Sequence, residues 1–383
     1  SSISTSNGGL TKDGSGTLTL SGSNSMQQTS VTEGVLAVQS SYALGYGTTV
    51  VSSGAALELS ETMLNIASSL TLNGSGISNG GALRNVFGEN TCSGMITLGS
   101  GTRINSDSGT LTLNSYSGIS GYVALTFGGA GNVSVSSGIG GVDAFIKDGS
   151  GTLTLSGSNS YSGNTAIQNG RLVAVGYNSL PSSTVVVLGN GSDNGVLQIG
   201  DMNNFVNQTV AGLTTSGTGS SNAIVGGNYY NSTLTISTSS DYTFAGTLGG
   251  STGYENCLAL TKEGAGKLTL SGNNSYAGDT TVNGGILNIQ NGNALGSTSG
   301  GTILAGGNVE MQGGITTAAE PVTFCCGGTW RNVSGDNTFT GPVTVNSSAR
   351  FDSDSGTLTL NSSTAISGYY YGDLTFGGAG NII

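Results

Sequence analysis

The sequence predicts an all-β protein that folds as a parallel β-helix, or β-solenoid, in the form of an elongated rod. Three observations support this prediction: short runs that alternate apolar and polar residues, turns rich in Gly, Asn and Ser between those runs, and internal repetition. Each coil of a solenoid buries its inward side chains on the coils before and after it, so similar short strands recur along the chain.

The alternating runs are typical of strands with one buried face. In GTLTLSG, Leu153 and Leu155 point to one side and the threonines to the other, as the two-residue period of a strand requires. We expect these leucines, and those of four similar runs, in the interior. The other pairs are Leu18 and Leu20, Leu111 and Leu113, Leu268 and Leu270, and Leu358 and Leu360. No run approaches the roughly 18 apolar residues of a membrane helix, so we expect no membrane insertion by this segment.

One phrase divides the chain into three units. It reads KDGSGTLTLSGSNSYSG from Lys147, and recognisable copies begin at Lys12 and Lys262. No unit boundary contains a linker, so we expect a single continuous solenoid over residues 1–383. Its predicted units are residues 12–146, 147–261 and 262–383.

Two polar features recur within the phrase. Each lysine is followed by an acidic residue and then Gly, and we expect these pairs to solvate a turn. An asparagine recurs where a side-chain amide can satisfy the backbone groups of a turn, and we expect a structural role for it. The asparagines are Asn24, Asn159 and Asn274.

Composition disfavours most functional classes. Charged residues make up 8% of the 383 residues, against about a quarter in ordinary domains, and Gly contributes 69. The chain contains no histidine, which excludes a Ser-His-Asp triad and His-ligated metals. A net charge of −11 with 9 basic residues disfavours binding to phosphate backbones. We expect no catalysis, no cofactor and no nucleic-acid partner.

Two alternatives to a purely structural role stay open. Asp352 and Asp354 can share a strand face, and a glycan-acting β-helix enzyme needs two convergent carboxyl groups. The same pair is a weak calcium candidate, although no calcium-loop motif appears. A glycan-binding module would instead stack sugars on exposed aromatic rings. The tyrosines expected to do so are Tyr229, Tyr230, Tyr369, Tyr370 and Tyr371.

The four cysteines lack the paired spacing of a metal site. Cys92 aligns with Phe339 in the similar third unit, so we expect it in the core. Cys325 and Cys326 are adjacent and should point to opposite sides of a strand. We expect Cys257 and this pair to be free thiols or to include one long-range disulfide.

The two ends of the chain fit each other. Joining Ile383 to Ser1 restores, to within one residue of spacing, the phrase that continues from Leu125. No capping coil is evident, so we expect the last unit to continue into residues 1–11 of another copy. That copy is a separate subunit of a head-to-tail filament or the next segment of a tandem chain. The residues expected at the contact are Ser1, Ile3, Phe376, Ile382 and Ile383.

The Lys-acid-Gly start, TLTLSGSNSYSG, and TTVNGGILNI from Thr280 together resemble the passenger-associated repeat of bacterial autotransporters. The copies at Lys147 and Lys262 match best, whereas the copy at Lys12 has Met26-Gln27-Gln28 where the others have Tyr-Ser-Gly or Tyr-Ala-Gly. The resemblance implies a right-handed β-helix, displayed on the surface of a Gram-negative-type bacterium as an adhesin stalk. Cell-surface glycans are a further expected partner.

Overall fold

A computed structural model describes residues 2–5, 8–368 and 372–383. The chain divides into two compact units, residues 1–184 and 185–383. Within the described residues each unit consists of short parallel strands, and no α-helix occurs. A single 3₁₀ turn lies at Ile77–Asn79.

In the first unit most strands are two to six residues long, because Gly, Asn or Ser turns interrupt the alternating runs. In chain order the strands are β1 (Gly9–Lys12), β2 (Thr17–Leu20), β3 (Gln28–Val31), β4 (Val35–Val38), β5 (Thr48–Val51), β6 (Ala56–Leu59), β7 (Asn65–Ile66), β8 (Ser69–Gly74), β9 (Leu83–Asn85), β10 (Glu89–Cys92), β11 (Ile96–Ser106), β12 (Thr110–Leu113), β13 (Ile119–Ser120), β14 (Ala124–Gly128), β15 (Asn132–Val135), β16 (Ile139–Gly140), β17 (Ala144–Lys147), β18 (Thr152–Leu155), β19 (Thr165–Ile167) and β20 (Gly170–Ala174). Neighbours pair in the orders β1-β3-β5-β8-β11-β14-β17-β19, β2-β4-β6-β9-β11, β11-β13-β16 and β7-β10-β12-β15-β18-β20.

The second unit is built in the same way. In chain order its strands are β21 (Val185–Leu188), β22 (Gly195–Ile199), β23 (Gln208–Val210), β24 (Gly212–Thr215), β25 (Ala223–Gly226), β26 (Ser232–Ser237), β27 (Tyr242–Phe244), β28 (Thr247–Leu248), β29 (Leu258–Glu263), β30 (Lys267–Leu270), β31 (Thr280–Val282), β32 (Ile286–Ile289), β33 (Thr302–Leu304), β34 (Asn308–Gln312), β35 (Val322–Phe324), β36 (Thr329–Ser334), β37 (Asn337–Phe339), β38 (Val343–Val345), β39 (Ala349–Ser353), β40 (Thr357–Leu360), β41 (Ser367–Gly368), β42 (Leu374–Gly377) and β43 (Asn381–Ile382). Neighbours pair in the orders β21-β24, β22-β25-β28, β23-β26-β29-β31-β33-β35-β38-β41, β27-β30-β32-β34-β36-β39-β42 and β37-β40-β43.

The parallel ladders are in register, so the same side of each strand faces the interior on successive coils. Leu153 and Leu155 of β18 lie beside Leu172 and Ala174 of β20, and all four side chains are completely buried. Burial of each leucine side chain contributes roughly 1.5–3 kcal/mol. Leu18 of β2 is only half-buried, whereas Leu20 of the same strand is buried.

The predicted all-β class and the parallel β-solenoid are confirmed. The leucines of the repeated phrase stack on apolar side chains of the next coil in both units. In the second unit Leu268 and Leu270 lie beside Leu287 and Ile289. A single continuous solenoid with three sequence units stays a prediction.

Candidate functional site

The repeated phrase opens with a lysine that the fold places in its interior. Lys12, Lys147 and Lys262 are buried, and the expectation that they solvate a turn is wrong. The missed signal was the strand period: Lys147 lies two residues after Phe145, so both side chains of β17 point inward. Lys262 follows Leu260 in the same way in β29.

Each buried ammonium group is surrounded by backbone carbonyls. Nζ of Lys147 donates hydrogen bonds to the carbonyls of Asp148 (2.8 Å) and Gly149 (2.7 Å) in its own turn. It donates a third, of 3.0 Å, to Asn169 of the next coil. Lys262 repeats the pattern with Glu263, Gly264 and Gly284. One charged group therefore closes a turn and attaches it to the following coil.

Burial changes the acid–base properties of these lysines. Desolvation lowers the pKa of Lys147 to about 8, and it also lowers the pKa of Lys262. The residue that packs over the ammonium group from the next coil is Gly170, at φ 74°. A Cβ there would lie 2.5 Å from the Gly149 carbonyl oxygen, so a larger residue would displace the carbonyls that hold the charge.

An asparagine side chain links three successive coils at the second recurring position. Asn274 accepts a 2.9 Å hydrogen bond from the Leu248 amide of the preceding coil. Its side-chain amide donates to the Ala294 carbonyl of the following coil at 2.6 Å. Asn24 and Asn159 do the same in their copies. All three are buried, so each satisfies two backbone groups that water does not reach.

Comparison with known protein families identifies the repeated phrase that contains these lysines and asparagines. The family model described as passenger-associated-transport-repeat matches four segments of the chain, residues 10–38, 145–174, 260–289 and 332–347. The chain contains passenger-associated-transport-repeats. The first three segments include Lys12, Lys147 and Lys262, which confirms the resemblance found from the sequence.

A curated relative of similar sequence is the Adhesin BmaC autotransporter of Brucella suis biovar 1 (strain 1330), 36% identical over 118 residues. The aligned part covers 27% of this chain and 4% of the relative's length. No solved structure matches. Among the described residues, no helix is long and apolar enough to cross a membrane.

Several carboxylates outside these repeats, including Asp352 and Asp354, are paired with guanidinium groups. Asp354 lies 2.6 Å from the Arg331 guanidinium, and Asp352 lies 2.7 Å from that of Arg350. In the first unit Arg84 bridges Asp107 and Glu58. Arg350 and Asp352 belong to the same strand, β39, whereas Arg84 and Glu58 lie on the paired strands β9 and β6. No cluster of three metal-ligating side chains occurs within the part of the chain that the structure describes.

Four exposed aromatic residues form a cluster in the second unit. Tyr229 and Tyr254 meet edge to face, with ring centroids 4.6 Å apart. Phe205 and Tyr230 do the same at 6.3 Å. The hydrogen bond with Tyr229 raises the pKa of Tyr254. We call Phe205, Tyr229, Tyr230 and Tyr254 the aromatic cluster. The other expected glycan-stacking tyrosines, Tyr369, Tyr370 and Tyr371, lie outside the described residues.

The cysteines occupy three kinds of environment. Cys92 is fully buried, as expected, and burial raises the pKa of its thiol to about 12. Cys257 donates to backbone carbonyls. Cys325 and Cys326 do not point to opposite sides of a strand. They follow the end of β35 at a bend, where strand alternation no longer applies, and their Sγ atoms are 2.7 Å apart. All four are free thiols in the structure.

The coil that contains β42 leaves apolar side chains uncovered. Phe376 is 50% exposed, whereas Phe127, at the equivalent position of the first unit, is completely buried. Phe127 is covered by Phe145 of the next coil, at a ring-centroid distance of 5.8 Å. Ile383 is also exposed, while Ile3 and Ile382 are half-buried. Ser1 lies outside the described residues.

Proposed function

We propose that this chain is a structural segment of an adhesin passenger displayed on the bacterial surface, where it serves as a stalk. The observation that supports this most directly is the use of the same buried lysine and asparagine in each long copy of the repeat. These side chains bind backbone groups of neighbouring coils, so their hydrogen bonds are used to join coils. The passenger-associated-transport-repeats and the adhesin relative support the same role.

The stalk role is tested by placing the chain between a bacterial surface anchor and a short peptide tag. We expect the chain to raise binding of a whole antibody to the tag, because it lifts the tag clear of surface polymers. A small dye that recognises the tag should bind equally with and without the chain. Equal antibody binding in both cases would argue against a stalk.

We propose glycan binding by the aromatic cluster as a second function. Its rings are exposed and lie in two edge-to-face pairs, and an exposed aromatic ring offers apolar surface to the apolar face of a sugar. A glycan array probed with the chain and with Tyr229→Ala tests this. Tyr177→Ala, which removes another exposed tyrosine, is the matched control. Binding lost in both variants, or absent in the parent chain, contradicts the proposal.

We propose that the coil containing Phe376 docks on a further coil, supplied by a second copy or by a continuation of the same chain. The exposed ring of Phe376 would then be covered as Phe127 is by Phe145. A contact between unlike surfaces does not close on itself and so generates filaments. The apparent molar mass of the isolated chain, measured by light scattering, should therefore grow with protein concentration. Phe376→Ser should reduce this growth, whereas Phe205→Ser, which removes a similarly exposed ring, should not.

A further inference from the structure

The adjacent thiols of Cys325 and Cys326 lie in a turn that brings them together. The amide of Cys325 donates to the Leu304 carbonyl at 3.0 Å, which holds this residue against the preceding coil. Gly327 and Gly328 follow at φ 88° and 122°, conformations that favour glycine. The Sγ–Sγ distance of 2.7 Å compares with about 2.05 Å for a disulfide bond.

No other described cysteine competes for these thiols within the turn. On the neighbouring coils, Ala305 lies before Cys325 in the stack and Asn346 lies after it. The backbone amides of these three residues each donate to the last carbonyl of a strand on the preceding coil. Cys257 instead donates to the carbonyls of Gly253 and Tyr229. The nearest available reaction partner of each thiol is its neighbour in sequence.

We propose that Cys325 and Cys326 form a redox-active dithiol that an external disulfide oxidises to a vicinal disulfide. Cys326 is the more exposed of the two, and its thiolate attacks one sulfur of the oxidant R–S–S–R. This step forms a mixed disulfide and releases RS⁻. The thiolate of Cys325 then attacks the Cys326 sulfur and releases the second RS⁻. The two thiols lose two protons and two electrons, and the oxidant is reduced to two RSH.

Oxidation of the thiol pair leaves a different product from oxidation of a solitary surface cysteine. A solitary exposed thiol is left to react with other molecules, whereas the closed pair has no free thiol. The hydrogen bond with Cys326 raises the pKa of the Cys325 thiol. The greater exposure of Cys326 favours it as the first thiol to meet the oxidant. Closure therefore protects an exposed turn from cross-linking in an oxidising environment. The chemistry itself does not depend on the proposed stalk function.

The test is oxidation of the folded, full-length chain, followed by mass analysis of its tryptic peptides. The folded full chain is reduced, treated with oxidised glutathione, alkylated with iodoacetamide in denaturant, and digested with trypsin. Cleavage after Lys267 and Arg331 releases one peptide, residues 268–331, whose cysteines are Cys325 and Cys326 alone. We expect this peptide to have lost two hydrogen atoms and to contain no alkyl group. Two alkyl groups, two glutathione adducts, or a link to a second peptide would overturn the proposal.

Two variants separate this pair from the other cysteines. With Cys326→Ser the same peptide should contain a single glutathione adduct at Cys325, since no resolving thiol remains. With Cys257→Ser the peptide should close as in the parent chain. Reduced parent chain should also bind a resin that displays a trivalent arsenical, which requires two neighbouring thiols, and Cys326→Ser should not bind. Equal retention of the parent chain and Cys326→Ser would contradict the proposed dithiol.

Discussion

At the scale of single residues, the least expected feature of this protein is the burial of polar side chains. An ammonium group taken out of water is costly unless hydrogen bonds replace its hydration. Lys262 meets this requirement with three backbone carbonyls, from Glu263, Gly264 and Gly284. Because those carbonyls belong to two coils, the lysine that opens the repeat stabilises both the turn and its stacking.

Lys262→Met should lower the free energy of unfolding of the second unit by about 2–4 kcal/mol. Methionine fills the space of the lysine stem but leaves the carbonyls without donors, and a buried unsatisfied group costs about 1–3 kcal/mol. Urea unfolding followed by the fluorescence of Trp330, the one tryptophan, measures this change. Glu263→Gln alters a half-buried side chain of the same turn and should leave the urea midpoint nearly unchanged. Equal stability of Lys262→Met and the parent would contradict the role of the lysine.

Glu320 should make stability fall as the pH rises from 4.5 to 7. Burial raises its pKa from the ordinary 4.5 to about 7, while the hydroxyl of Thr302 donates to its carboxylate and opposes the shift. The folded state then holds a proton that the unfolded state has released, so stability is greatest below pH 4.5 and is lost towards pH 7. The difference is about 3 kcal/mol at most. In Glu320→Gln this dependence should disappear, and with no histidine in the chain few other groups titrate in that window.

At the scale of the strand and turn, the asparagine bridge reinforces the coil spacing that the strand ladders set. Asn274 bonds to backbone groups at Leu248 and Ala294, one coil to each side. Strand pairing repeats at about 4.8 Å, and a side-chain amide spans that step only when the coils are in register. The asparagine therefore favours the native stacking over a slipped one.

Asn274→Leu should destabilise the second unit by about 2–4 kcal/mol, because it leaves one buried amide and one buried carbonyl unsatisfied. Asn273→Leu is the matched control: it changes the neighbouring, exposed asparagine, whose bond is to the Asn293 side chain. The tryptophan-detected urea midpoint should fall in the first variant and stay within error in the second. A similar loss in both would show that the bridge has no special role.

For the molecule as a whole, charge is sparse and mostly acidic. The chain has 9 basic and 20 acidic residues and no histidine. The carboxylates first considered for glycan chemistry, Asp352 and Asp354, are engaged by Arg350 and Arg331. An arginine partner favours the ionised form of a carboxylate, which opposes its use as a general acid.

Purified chain should therefore give no turnover of a polysaccharide panel. Release of reducing ends or unsaturated sugars, followed over hours, measures this. Asp354→Asn is the informative variant, because it removes one carboxylate while its neighbour remains. Turnover in the parent that Asp354→Asn abolishes would replace the stalk by a glycan-acting enzyme.

The sequence by itself determined the strand class and the repetition. Alternation of Leu with Thr is a local property, since it follows from the two-residue period of a strand, and repeated strands bury their apolar face only by stacking. The inward leucines and the solenoid could therefore be predicted, as could the burial of Cys92, which shares its position with Phe339.

The tertiary structure decided what the polar residues do. The partners of Lys147 and Asn159 lie on neighbouring coils, so no local pattern reveals them, and charge alone suggested a solvated lysine. The contact between Cys325 and Cys326 depends on where β35 ends, and strand alternation predicted the opposite. Apolar burial follows from composition and period, whereas the satisfaction of a buried polar group depends on distant backbone atoms that only the folded chain brings within reach.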